Sequence, residues 1–216
     1  MAFGQSQFAS ELKTLGINVP RGTLGRLEAY AALLIKWQAR INLVGPATLP
    51  DLWRRHFLDS AQLVPLLSLP QGGGGRTLVD LGSGAGFPGL VLAIMTDWRV
   101  HLIDSDQRKC AFLRQVALDC GVGTQVTIHA KRIDQVTGTA AQVVTARACA
   151  PLDELLALAA PMVGEAGRCL FMKGAQAEEE LTQAERHWTM RVAKRGSITD
   201  PAGTILTITQ LKRKSQ

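Results

Sequence analysis

Residues 78–89 read LVDLGSGAGFPG, and this stretch decides the fold. Its apolar run (Leu78, Val79, Leu81) has strand character and stops at a cluster of four glycines, Gly82, Gly84, Gly86 and Gly89. Pro88 then opens GLVLAIM, residues 89–95, which reads as a helix. Pro88 suits a first helical turn, where a missing N–H costs nothing. Strand, glycine turn and helix together bring bare backbone against a nucleotide-like ligand.

Downstream of this unit, strand and helix patterns alternate. Strands are expected at 100–103, 126–129, 142–145 and 168–172, with helices at 106–119, 152–162 and 177–187. Two further β-like runs, 189–193 and 205–211, are joined through the Pro201-Ala-Gly203 turn and fit an antiparallel hairpin at the sheet edge. This alternation predicts an α/β fold with a mostly parallel sheet covered by helices. Upstream, residues 1–70 read as helical. Leu24, Leu27, Ala31, Leu34 and Ile41 recur at helical spacing, and a second helix is expected over 49–67. Trp37, Trp53 and Phe57 read as packing residues rather than base-stacking ones. The QGGGG run at 71–75 marks a boundary, so the expected organisation is a helical extension, 1–72, packed on a core of 73–216 as one compact unit.

Composition narrows the class. The chain has 216 residues, 46% of them apolar, and a mean hydropathy near zero, as in a globular protein with a substantial core. No apolar run approaches the ~18 residues of a membrane span. The first residues lack the basic and apolar regions of a secretion signal, so the expected compartment is the cytoplasm. Cys110, Cys120, Cys149 and Cys169 lie far apart with no C-x-x-C pair, which predicts free thiols and no metal site. The net charge of +6 acquires meaning only alongside an activity.

The loop itself excludes two ligand classes. In the dinucleotide fingerprint G-x-G-x-x-G the third glycine would fall on Phe87, and no Lys-Ser or Lys-Thr follows for a phosphate-cradling loop. The features match a site for S-adenosylmethionine, which carries a sulfonium, a carboxylate and an adenosine but no phosphate. Asp80 supplies an acid at the end of the first strand. Asp104 closes VHLID, 22 residues beyond Gly82 and near the ~20-residue spacing of a ribose-binding acid. Arg132-Ile133-Asp134 follows the third strand, where an adenine amino group would be met.

Absences then restrict the methyl acceptor. After the fourth strand stands TARACA, residues 145–150, in place of an Asp-Pro-Pro-Tyr motif for adenine amines. Cys149 has no adjacent base and reads as a structural thiol rather than the nucleophile of a pyrimidine methylase. What remains includes guanine N7, whose free lone pair needs alignment rather than a general base. A small-molecule methyltransferase and a non-catalytic RNA-binding module on the same fold stay open as alternatives.

The chain resembles the bacterial small-subunit (16S) ribosomal RNA guanine-N7 methyltransferase family, also called GidB or RsmG, over roughly residues 30–175. The matching runs are INLV (41–44), RHFLDS (55–60), DLGSGAGFPG (80–89), LIDS (102–105), FL (112–113), RID (132–134), TARA (145–148) and KG (173–174). The chain departs from the family pattern in the order Arg108-Lys109 and in Asp134, where a glutamate is usual. The resemblance implies a Rossmann-like class I methyltransferase fold with a seven-stranded sheet. It also implies S-adenosylmethionine as cofactor and 16S rRNA or the small ribosomal subunit as partner, with the chain acting as a monomer.

Carried over by position, the resemblance implies cofactor contacts at Gly82, Phe87, Ile133, Asp134 and Arg147, beside Asp80, Gly84 and Asp104 from the loop reading. Arg147 and Lys173 are candidates for positioning the substrate, with a structural ion pair and a solvated lysine as their other readings. Arg54, Arg55, Lys173 and the tail Lys212-Arg213-Lys214 are candidates for RNA phosphates.

Overall fold

A computed structural model describes residues 3–68 and 75–215. The boundary expected at 71–75 lies, apart from Gly75, outside the described residues. Strands β1 (Thr77–Leu81), β2 (Arg99–Ile103), β3 (Val126–His129), β4 (Ala141–Arg147), β5 (Val163–Lys173), β6 (Trp188–Gly196) and β7 (Thr204–Arg213) form one sheet in the order β3-β2-β1-β4-β5-β7-β6. The first five run parallel, and β7 pairs antiparallel with both β5 and β6. The α/β sheet and its antiparallel edge hairpin are thus as the alternation predicts. Strand order reverses between β1 and β4, and such a switch point opens a crevice at the carboxyl ends of the strands.

The pleat sorts side chains onto two faces. Leu78, Val100, Leu102, Leu170 and Ile205 join a core with the N-terminal helices α1 (Gln5–Thr14) and α2 (Arg21–Gln38) and with α3 (Gly89–Met95) and α4 (Gln107–Asp119). Val79, Leu81, Val144, Cys169 and Phe171 point the other way, under α5 (Leu152–Ala159) and α6 (Ala177–Ala184). Helix α4 begins one residue later than expected because Asp106 is its cap, accepting from Arg108 N at 2.8 Å and Lys109 N at 3.3 Å. Helix α5 stops at Ala159 rather than 162, since Pro161 has no N–H to continue it.

The single helix expected over 49–67 is not formed. A 3₁₀ turn (Pro46–Asp51) leads into a π-helical turn (Trp53–Leu58), a short α turn (Asp59–Ala61) and another 3₁₀ turn (Val64–Leu67). Pro46, Pro50 and Pro65 break the α ladder, while buried Phe57, Leu58, Ala61 and Leu63 anchor the segment to the core.

Candidate active site

The glycine loop is held from inside. Asp80 is fully buried, accepting from Thr145 Oγ1 at 2.7 Å and Gly89 N at 3.3 Å. Burial pushes its carboxyl pKa up to about 6. One oxygen ties β1 to β4 and the other holds Gly89, and Asp80 lines neither cavity, so the direct cofactor contact expected of Asp80 is corrected to a scaffold role. Ser83 Oγ bonds to Asp80 O at 2.9 Å and accepts from Ile103 N at 3.1 Å. The buried Tyr30 hydroxyl of α2 donates to Ala85 O from the opposite side. Gly82 and Gly84 have φ of 63° and 55°, and a Cβ on Gly82 would collide with the Cys149 sulfur.

Two cavities meet at the strand ends, and Gly82, Asp104 and Cys149 line both. The smaller, of about 220 Å³, is closed by Ile103 at the end of β2, by Ser105 just after it, and by Ile133 and Asp134 after β3. Asp104 is aimed by two backbone donors, Gly84 N and Asp106 N, each at 2.8 Å. Asp134 is half-exposed, and Arg132 Nη2 holds its Oδ2 at 3.2 Å. This donor set fits an adenosine: a fixed carboxylate for vicinal hydroxyls, and a carboxylate with an apolar side chain beside the base. The larger cavity, of about 980 Å³, is lined by Gly84, Phe87, Arg147 and Lys173. It sits at the top of the ~300–1,000 Å³ range of small-molecule sites, so it has room for a purine besides a methionine tail. Cys149 is half-buried and its thiol is pushed up, first by desolvation and then by Asp80 and Asp104, the opposite of an activated nucleophile.

Every acid or imidazole on the larger cavity is already engaged. Arg147 donates from Nη1 to Arg55 O at 3.1 Å and Asp59 Oδ2 at 3.4 Å, and from Nη2 to His56 Nδ1 at 2.9 Å. Its guanidinium lies over the Phe87 ring, 5.1 Å from the centroid. An arginine only donates, so His56 accepts at Nδ1 and donates from Nε2 to Thr48 Oγ1 at 2.7 Å. Desolvation, then the charges of Arg147 and Arg55, lower the His56 pKa to about 3, and the ring is neutral at physiological pH. Asp59 Oδ1 accepts from Thr199 Oγ1 at 2.6 Å. Glu180 Oε2 pairs with Lys173 Nζ at 2.6 Å and accepts from Leu152 N at 2.6 Å. Asp200 pairs with Arg55 at 3.2 Å.

Most of the expected residues therefore come together on these cavities: Gly82, Gly84, Phe87, Asp104, Ile133, Asp134, Arg147, Lys173 and Arg55. Phe87 is also a core ring, stacked on Tyr30 at 5.2 Å. Lys173 is no solvated lysine, since its side chain is 8% exposed. Arg54 lies off both cavities, bonded to Ile198 O at 3.2 Å, which corrects its placement at the cleft. The basic tail stands at the far end of β7 from Thr204, which lines the cavity. Sequence reasoning passed over Tyr30, His56, Asp59, Thr145 and Glu180. His56 and Asp59 lie inside the quoted RHFLDS run and Thr145 inside TARA, whereas Tyr30 and Glu180 carry no motif.

Comparison with known proteins agrees with this geometry. A profile of the family described as rRNA small subunit methyltransferase G matches residues 23–205. Ribosomal RNA small subunit methyltransferase G of Paramagnetospirillum magneticum is 57% identical over 195 residues, spanning 90% of this chain and 92% of its own length. The protein of the same name from Rhodospirillum centenum is 54% identical over 193 residues, spanning 89% and 87%. Among solved structures, a SAM-dependent O-methyltransferase from Thermotoga maritima superposes with a TM-score of 0.57 at 14% identity, over 92% of this chain and 74% of its own. Ribosomal protein L11 methylase from Lactobacillus delbrueckii subsp. bulgaricus gives 0.54 at 16% identity, over 73% and 80%. These two share the fold.

Proposed function

The chain belongs to the rRNA small subunit methyltransferase G family, and from that premise we propose how its residues carry out the reaction. It is an S-adenosylmethionine-dependent methyltransferase of 16S ribosomal RNA that acts on guanine N7. In our reading the smaller cavity takes the adenosine, with Asp104 on the ribose hydroxyls and Ile133 and Asp134 at the base. Gly82 and Gly84 let the backbone approach the sulfur, and the larger cavity receives the methionine tail and the guanine. When bound, S-adenosylmethionine supplies an electrophilic methyl group.

One observation carries the assignment to N7. Of the five acids and imidazoles that the described residues place on the larger cavity, His56, Asp59, Glu180 and Asp200 are engaged by side chains of the protein, and Asp104, aimed by two backbone N–H groups, is the acid given to the ribose. Among the described residues, none of the five stands free beside the acceptor as a general base. An exocyclic amine or a hydroxyl would have to lose a proton, whereas N7 attacks with a lone pair it already has. The protein's work is then alignment and exclusion of water. Arg147 uses three of its five N–H donors internally, leaving two for the methionine carboxylate or the guanine O6. Lys173 holds the floor of the same cavity through Ala150 O at 2.9 Å and Glu180. Among the described residues no helix is long and apolar enough to cross a membrane. We read the chain as a monomer acting where ribosomal subunits are assembled, in the cytoplasm.

The test is incubation with labelled S-adenosylmethionine and small subunits from cells lacking this gene, followed by nucleoside mass spectrometry. The expected product is 7-methylguanosine, reduced at least tenfold with Arg147→Ala. A different methylated nucleoside, or label appearing only in a metabolite, would overturn the reading.

A further inference from the structure

Beside the catalytic cavity lie two smaller depressions that the reaction as described does not use. One, of about 390 Å³, lies between the end of α2 and the start of α4 and is lined by Arg40, Asn42, Arg108 and Lys109. The other, of about 250 Å³, adjoins it and is almost wholly apolar, with Trp37, Ile41 and Ala111 on its walls and Lys36, Arg40 and Arg108 at its rim. Lys109 lines both the first depression and the catalytic cavity, and Arg40, Ile41 and Arg108 line both depressions, so the three are neighbours on one face. The loop between them is fixed in place: Gln38 Oε1 accepts from Leu43 N and Val44 N, each at 3.0 Å, and its Nε2 donates to Val44 O at 2.9 Å.

The charge of this groove is only partly compensated. Among the described residues Lys36, Arg40 and Lys109 make no ion pair, and Arg108 reaches only Asp106, at 3.6 Å. Asp106 is the acid lining the groove, and its Oδ1 is occupied with the cap of α4. Cations clustered beside a catalytic cavity repel one another, and a bound anion relieves that repulsion. The apolar depression alongside is the second observation. Trp37 is half-buried, with its ring tilted against Phe112 at 5.7 Å, and its remaining surface faces this hollow. A cationic groove with an aromatic wall next to it is the combination that holds single-stranded nucleic acid: phosphate on the cations, base against the ring.

We propose that this groove binds a nucleotide flanking the target guanosine, with its phosphate held by Arg40, Arg108 and Lys109 and its base laid against Trp37 and Ile41. The inference rests on the reading of the chain as an rRNA methyltransferase and adds the direction in which the RNA strand leaves the active site, toward α2 and α4. The half-buried Trp37 then both packs on the core and offers a stacking face, whereas its sequence context favours packing over base-stacking.

The experiment uses the full chain with unmethylated small subunits. Arg40→Ala/Arg108→Ala removes two surface cations that touch neither proposed cofactor cavity. KM for subunits should rise about tenfold at physiological salt with kcat within twofold, and the slope of log K against log salt should flatten by roughly 0.7 to 1.4, the loss of one or two phosphate contacts on a single strand. S-adenosylmethionine affinity, measured by calorimetry, should be unchanged. Ultraviolet cross-linking of the wild-type complex, read by mass spectrometry, should place nucleotide adducts on peptides covering 36–42 or 108–111. An unchanged KM and salt slope would overturn the proposal, as would adducts confined to other peptides or cross-links from this groove to a ribosomal protein. Wild-type methylation with normal variant kinetics would defeat the groove alone, whereas absence of 7-methylguanosine with the wild type would defeat the underlying reading.

Discussion

At the scale of single residues, the loop depends on Gly82. Its φ of 63° lies where a Cβ costs ~1–2 kcal/mol, and that Cβ would also strike the Cys149 sulfur. Gly82→Ala should therefore weaken S-adenosylmethionine binding tenfold or more by calorimetry. Cys149→Ala alone should keep near-normal turnover, because its protonated thiol is no nucleophile. Combined with Gly82→Ala it should recover part of the affinity, by relieving the steric share of the penalty. His56 makes a second residue-scale prediction, with a definite sign. Its folded pKa of about 3 lies below the ordinary 6.5, so the stability tied to its neutral form is complete above pH 6.5 and drains away as pH falls toward 3. Asp80 acts in the opposite sense, since its raised pKa withdraws stability as pH rises from 3.8 through about 6. His56→Asn keeps an acceptor for Arg147 but cannot gain the proton. Its Tm should fall less steeply than the wild type's between pH 6.5 and 4 in thermal melts, and a parallel pair of curves would remove the role given to His56.

At the scale of elements, the broken segment from Trp53 to Leu67 is what the sequence concealed. Its apolar spacing resembles a helix, yet prolines at both ends and a π-helical turn set Arg55, His56 and Asp59 toward β4 and the hairpin turn. The strands and most helices were legible because each carries its own periodicity, while the seven-stranded sheet was implied by the family resemblance and its strand order came from the structure. The cavity wall was not legible, because it is assembled from hydrogen bonds between residues 59 and 199, or 62 and 198, that no local pattern records. Gln62 Oε1 accepts from Ile198 N at 3.0 Å, and Asp59 Oδ1 accepts from Thr199 Oγ1 at 2.6 Å. These bonds strap the turn before β7 over the larger cavity, while Asp59 Oδ2 holds Arg147. One carboxylate thus fixes both the cavity roof and its central cation. Thr199→Val removes a donor without changing shape. Losing a hydrogen bond to a charged group costs roughly 1.5–3 kcal/mol, so Tm should drop by several degrees. KM for ribosomal subunits should rise severalfold while S-adenosylmethionine affinity stays within twofold, because Asp59 and Thr199 of the strap line the larger cavity and no strap residue lines the smaller one given to the adenosine. Equal losses in both affinities would show that the turn does not act on the RNA side.

For the whole molecule, the glycine boundary in the sequence separates segments that the packing unites. Tyr30 of α2 donates to the Ala85 carbonyl inside the cofactor loop, and its ring stacks on Phe87. Leu27, Leu34, Phe57 and Leu58 share one core with Leu78, Leu90, Leu92, Val100 and Leu102. We propose that the helical N-terminal part and the sheet are a single folding unit in which neither is stable alone. Burying a large apolar side chain contributes roughly 1.5–3 kcal/mol. Uncovering these five residues of the sheet side would cost about as much as the ~5–15 kcal/mol that keeps a typical domain folded. A fragment starting at residue 75 should therefore show no cooperative melting transition, and its amide spectrum should lack dispersion, although it carries every strand and both acids of the cofactor site. The full chain should melt in one transition, with calorimetric and van't Hoff enthalpies equal. A folded fragment that binds S-adenosylmethionine would show instead that the sheet carries its own stability and that the N-terminal helices are an accessory to it. The same measurement reaches the loop, because without Tyr30 the Ala85 carbonyl loses the donor that holds the turn closed from behind.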